Sequence, residues 1–121
     1  VDIFGPCHDP AFPALVRGLG LADVVRLCGV RTQAELAALY PGYDVFAFPT
    51  WAREPMAFAP LEAMAHGCAA VVSRECGNSE WLVGGRDCVK ADRTPEAFAD
   101  ALDDLLTGRT DLAAVGGRGR R

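Results

Sequence analysis

The 121-residue sequence has no Cys-x-x-Cys pair: its five cysteines, Cys7, Cys28, Cys68, Cys76 and Cys88, are odd in number and scattered. That pattern suggests neither a disulfide framework nor a zinc site, and it fits a reducing, cytoplasmic setting. Basic residues are in deficit, 12 against 16 acidic, for a net charge of −4. Broad electrostatic binding to nucleic acid or to an anionic membrane is thereby disfavoured. Long apolar runs are also missing. The longest stretch without an acidic or basic residue is Ala63 to Ser73, eleven residues, well short of the ~18 a membrane span needs. The start Val1-Asp2-Ile3 has no basic region of the signal-peptide kind, and its lack of a methionine suggests a processed or excised piece. No Gly-x4-Gly-Lys-Ser/Thr occurs and no Gly-x-Gly-x-x-Gly follows a strand, so phosphate-loop ATPase and dinucleotide-dehydrogenase readings lose their main support.

What is present is enough for one globular domain or part of one. Half the residues are hydrophobic and 23% are charged, with 13 Gly and 8 Pro, as in ordinary soluble domains. Short β-rich runs recur about every 20 residues: Val1 to Phe4, Val24 to Cys28, Val45 to Phe48, Ala69 to Val72 and the weaker Cys88-Val89. Helical patterns separate them. Thr32-Gln33-Ala34-Glu35 has the form of a capping box. Pro60 suits a first helical position, with Gly67 as the stop. Thr94-Pro95 opens a helix in which Phe98, Leu102, Leu105 and Leu106 keep the 3.6-residue period. Alternating apolar strands and helices imply an α/β, Rossmann-like parallel sheet with helices on both faces. The tail from Gly116 to Arg121 reads as a frayed, solvated terminus.

Ligands of open α/β sheets bind at the carboxyl ends of the strands, where loops lead into helix N-termini. One such loop is both long and unusual, Pro49 to Ala59, and it runs directly into a helix carrying Glu62. Glu54 and Glu62 lie eight positions apart, the second assigned to the first turn of the helix. Between them lie the backbone amides of Met56, Ala57, Phe58 and Ala59. Amides for an anion flanked by carboxylates for hydroxyls suit a ligand with phosphates and vicinal diols, such as a nucleotide sugar. Blander readings exist. Glu62 favours a helix N-terminus in any protein, Glu54 could pair with Arg53 or Arg74, and Trp51 and Phe58 could be core or cleft wall. His66 is expected to meet the last carbonyls of its helix, His8 to be a solvated turn residue, and Glu80-Trp81 to begin a short packed helix. Neither histidine has a placed nucleophile, which leaves a hydrolase triad without support.

The run from Arg53 to Cys68 resembles the Glu-x7-Glu signature of retaining GT-B glycosyltransferases, the large family 4 group. Val24 to Gly29, Leu39-Tyr40, Asp44 to Phe46 and Ser73 to Trp81 resemble the flanking segments of that family in the same order. The resemblance implies a partial carboxy-terminal, nucleotide-sugar-binding domain over residues 1–121. Glu54 would contact the donor sugar as the catalytic position and Glu62 the ribose diol. The amides of Met56, Ala57, Phe58 and Ala59 would hold sugar and diphosphate, and the backbone near Val30 and Arg31 would meet the base. It implies transfer of a hexosyl group to a hydroxyl of a glycan, lipid or small molecule with retention of configuration, without metal or other cofactor. The amino-terminal acceptor domain and the first strand and helix of the donor domain, with their diphosphate-binding Arg and Lys, would be absent. The piece alone is then expected to be nearly inactive, with Arg53, Arg31 and Arg74 as possible substitutes for those cations. Pro55 and Ala57 stand where relatives often have glycine. A non-catalytic nucleotide- or sugar-binding module, or a plain Rossmann-like interaction domain, remains open as an alternative.

Overall fold

A computed structural model describes residues 1–50 and 55–120. The expected alternation is present: β1 (Asp2–Phe4), α1 (Phe12–Gly18), β2 (Arg26–Gly29), α2 (Gln33–Leu39), β3 (Val45–Phe48), α3 (Phe58–Ala65), β4 (Ala69–Ser73), β5 (Val89–Ala91), α4 (Pro95–Leu106) and α5 (Leu112–Gly119). Two 3-10 turns, Tyr40–Gly42 and Gly77–Glu80, complete it. The chain divides into two compact units, Val1–Leu36 and Ala37–Arg121. All described strand pairs are parallel, but they form two sheets, β1-β2 and β3-β4-β5, rather than one. Apolar periodicity specifies that a strand exists and which way it faces. It does not specify the neighbour, because pairing joins generic backbone groups.

In the first unit, Asp2 pairs in register with Arg26 and Ile3 with Leu27, and the register shifts before Phe4. Arg26 bridges the strands through a bidentate pair to Asp2, at 2.6 and 2.7 Å. β2 begins two residues later than the apolar run suggests, since Val24 and Val25 bond back to Leu21 in a turn. The capping box holds: Thr32 N–H donates to the Glu35 carboxylate at 2.7 Å and Glu35 N–H to Thr32 Oγ1 at 3.3 Å.

In the second unit β4 is central and wholly buried. Its side chains alternate between two cores. Ala69 and Val71 pack with Phe98, Ala101 and Leu105 of α4 and Val115 of α5, while Ala70 and Val72 pack with Met64 of α3 and with Cys88. Helices thus cover both faces of this sheet, the reason its central strand reads as a continuous apolar run. Thr94 caps α4 through Ala97 N–H at 3.1 Å, as the Thr-Pro signal predicts. Cys68, Cys76 and Cys88 are buried and free, Cys28 is half-buried and Cys7 exposed. Burial pushes the Cys88 thiol up to about 11.

The tail departs from expectation. Residues Leu112–Gly119 form α5, capped by Asp111, which accepts Ala114 N–H at 2.9 Å. Val115 is buried in the core, and Arg118 donates to Arg86 O at 2.9 Å. An Asp cap and one apolar anchor outweigh the helix cost of the glycines, about 1 kcal/mol each, and those glycines allow the close approach that fixes the helix.

The loop that α5 covers carries a titratable lock. Asp87 accepts two bonds from Arg86, at 2.8 and 2.9 Å, and one from Val83 N–H at 2.9 Å. The Arg86 pair, and then the Val83 bond, hold the Asp87 carboxyl down at about 2. A folded value below the unfolded value, ~3.9, gives stability that is present above pH ~3.9 and lost as the pH falls through about 2. Asp87→Asn should therefore melt below wild type at pH 7, with the gap closing on acidification from pH 4 to 2. Thermal unfolding of both proteins across that range measures it, and a gap that persists unchanged at pH 2 contradicts it.

Candidate functional site

β3 ends at Phe48, and the loop that follows carries the signature. Trp51, Arg53 and the candidate catalytic Glu54 lie outside the described residues. The loop re-emerges at Pro55, and α3 begins at Phe58 after an extended Ala57 (φ −103°, ψ 130°). Pro60 is therefore the third helical residue, not the first. Its missing N–H is harmless there, because none of the first four amides has a partner within the helix. The earlier start moves Glu62 into the second turn, correcting the first-turn assignment, and no acidic residue occupies the first. Phe58 is exposed, which removes the core reading and keeps the cleft-wall one, and Met56 is exposed as well.

Glu62 is half-buried beside Tyr40 and His66. The Tyr40 phenol is pushed up, first by its burial and then by the Glu62 charge. The Tyr40 and His66 rings lie 5.4 Å apart, and His66 Nδ1 meets the Glu62 carbonyl at 2.8 Å, the carbonyl contact expected for that histidine. Tyr40 also stands edge-on to Phe46, with centroids 6.0 Å apart.

Ala57 brings a residue that sequence reasoning overlooked. Its N–H, one of the amides expected to meet a donor, instead donates to Asn78 Oδ1 at 2.7 Å, while Asn78 Nδ2 donates to Ala57 O at 2.5 Å. Asn78 is 1% exposed. Within Gly77-Asn78-Ser79 it looks like any turn asparagine, and only its burial distinguishes it. The same segment reaches the start of the loop, where Thr50 N–H donates to Ser73 Oγ at 2.9 Å. The Thr50 hydroxyl is buried without a partner among the described residues. Glu80 ends the 3-10 turn, but the following Trp81 is 78% exposed and does not pack as expected.

The remaining candidates lie apart in the sequence. Val30 and Arg31 belong to the first unit, both exposed, with Arg31 Nη1 donating to Val30 O at 3.0 Å. Arg74, one of the proposed anion-neutralising residues, donates to Asp92 at 2.8 Å. That pair is solvent-exposed, and such pairs are weak enough to exchange partners. No group of three or more His, Cys, Asp or Glu among the described residues could hold a metal ion. No helix among them is long and apolar enough to cross a membrane.

Solved structures share this architecture. Sucrose-phosphate synthase from Thermosynechococcus elongatus superposes on 98% of the chain with a TM-score of 0.86 at 23% identity, the match covering 32% of that protein. Anabaena HepE in complex with UDP gives the same TM-score at 19% identity, over 98% of this chain and 34% of its own. Among curated sequences, a D-inositol 3-phosphate glycosyltransferase of Corynebacterium urealyticum is 35% identical over 77% of the chain, and one of Kineococcus radiotolerans 34% identical over 97%. The matches span 22% and 29% of the length of those two relatives. The family model for glycosyl transferases group 1 matches residues 1–108. With that model covering residues 1–108 and a relative 34% identical over 97% of the chain, the chain belongs to the glycosyl transferases of group 1.

Proposed function

We propose that the chain is the carboxy-terminal, donor-binding part of a retaining GT-B glycosyltransferase that passes a hexosyl group from a nucleoside diphosphate sugar to a hydroxyl acceptor. The observation that carries the reading is the start of α3. It opens at the carboxyl end of β3 with a side-chain-free cap, amides at Phe58 and Ala59 in its first turn, and Glu62 one turn further on. Such an end attracts a diphosphate through its unpaired N–H groups and the helix dipole. Met56, Phe58 and Ala59 supply the amides, while the N–H of Ala57 is held by Asn78. Glu62 accepts from the ribose diol and Glu54 from the sugar hydroxyls. Solved neighbours carrying UDP and UDP-glucose are consistent with a uridine donor.

In this reading the acceptor hydroxyl attacks the anomeric carbon on the face from which the diphosphate departs, through an oxocarbenium-like state. No metal takes part. The protein's work is to position the sugar and to stabilise the negative charge that grows on the leaving diphosphate. The acceptor side belongs to an amino-terminal domain.

Calorimetric titration with UDP, GDP and ADP tests the ribose contact. Wild type is expected to bind one of them, and Glu62→Ala to bind it at least ~10-fold more weakly, the loss of about one charge-assisted bond. Equal affinities would remove Glu62 from the site.

A further inference from the structure

Resting on the function proposed above, we infer that Asn78 is a positioning residue of the donor site: it fixes the start of α3 from outside the helix and so leaves the first-turn amides open to the diphosphate. The contrast with α2, α4 and α5 motivates this; α1, whose cap Ala11 also forms no side-chain bond to its first turn, is like α3 in that respect. α2 is capped by the Thr32 and Glu35 box, α4 by Thr94 and α5 by Asp111, and each cap engages an amide of its own first turn. A Ser, Thr or Asp at position 57 would do the same to α3 and compete with an anion for those donors. Ala57 has no side-chain acceptor, and no side-chain cap bond forms there.

The helix start is instead held by a side chain 21 residues away in sequence, bonded to both the N–H and the C=O of Ala57. A two-point amide clamp of this kind fixes both position and orientation of the peptide it grips. It leaves the amides of Phe58 and Ala59 uninvolved.

The clamp stands on a firm base. Cys76 N–H bonds to Ser73 O at 3.0 Å, closing a turn directly after the buried strand β4. Ser79 Oγ donates to Arg74 O, and Lys90 Nζ from β5 donates to Ser79 O at 2.6 Å. From this base Ser73 holds Thr50 and Asn78 holds Ala57. Thr50 and Ala57, on either side of Glu54 in sequence, are therefore both tied to the segment from Ser73 to Asn78. Asn78 touches no reacting atom in this arrangement; it acts through Ala57.

The test compares wild type, Asn78→Ala, Asn78→Asp and Leu105→Ala, the last destabilising the core from α4. Amide hydrogen exchange by NMR reads the clamp directly, and calorimetry with UDP-glucose, GDP-glucose and ADP-glucose reads donor affinity below every melting temperature. Asn78→Ala is expected to expose the Ala57 amide and to weaken donor binding ~10-fold or more, as misplaced binding groups do. Asn78→Asp keeps the acceptor but loses the donor, so Ala57 N–H should stay protected while affinity still falls. It carries the test if the alanine variant does not fold. Leu105→Ala should leave both readouts at wild-type values despite its lower stability. An unprotected Ala57 amide in wild type overturns the clamp. Donor affinity unchanged in the Asn78 variants, or lowered as much by Leu105→Ala, overturns the positioning role alone. Wild type that binds none of the three sugars overturns the donor-site reading and this role with it.

Discussion

Gly116→Ala should cost about 3 kcal/mol of stability, a fall of ~10 °C in melting temperature, while Gly117→Ala, one residue on in the same helix, should raise it. A Cβ at Gly116 would lie 2.3 Å from the carbonyl oxygen of Gly67 and 3.4 Å from Ala69 N. Both are backbone atoms and cannot rotate away. Gly67 itself closes α3 in a left-handed turn (φ 94°), its N–H bonded to Met64 O at 2.9 Å. Relief would have to come from lifting α5, which would withdraw Val115 from the core.

Gly119, three residues along the same face, is nearly as tight, with a Cβ placed 2.7 Å from Asp87 O. At Gly117 nothing lies within 4 Å. There alanine only removes backbone freedom from the unfolded chain, worth about 0.5–1 kcal/mol in a helix. Thermal unfolding of the three single variants decides the matter. Equal effects at Gly116 and Gly117 would mean that α5 does not dock where the structure has it.

Glu54→Ala, made in the protein encoded by the complete reading frame, should reduce glycosyl transfer by ~100-fold or more while leaving free nucleoside diphosphate binding within ~2-fold. In the proposed site Glu54 meets only the sugar, whose hydroxyls must be held while the anomeric carbon loses its leaving group. Misalignment at that stage raises the barrier, so the loss should appear mainly in kcat. Glu54→Gln keeps the shape but exchanges a charged acceptor for a neutral one, and an intermediate loss is expected. Steady-state kinetics beside calorimetry separates the outcomes. Full transfer in Glu54→Ala would place the sugar elsewhere, and a parallel loss of nucleotide binding would point to collapse of the loop.

Much of the architecture can be read from local pattern. The Thr32 and Thr94 caps and the strand runs at Val45 and Ala69 follow from residue types at short spacing, because caps and amphipathic faces are set within one or two helical turns. Boundaries were less legible. Proline fits anywhere in a first turn, so Pro60 did not mark where α3 begins, and Glu62 consequently sits two residues deeper than a start at Pro60 suggests.

Other features depended on folding. Nothing near Asn78 identifies Ala57 as its partner, and nothing in the glycine-rich end of the chain identifies the Gly67 carbonyl as the surface it must clear. In both cases one partner is a main-chain group, which every residue possesses and no pattern can single out. The order of elements and the chemistry offered at the loop after β3 are therefore written in the side chains. Which strands pair, what holds that loop and how closely α5 approaches are decided only when distant backbone is brought together.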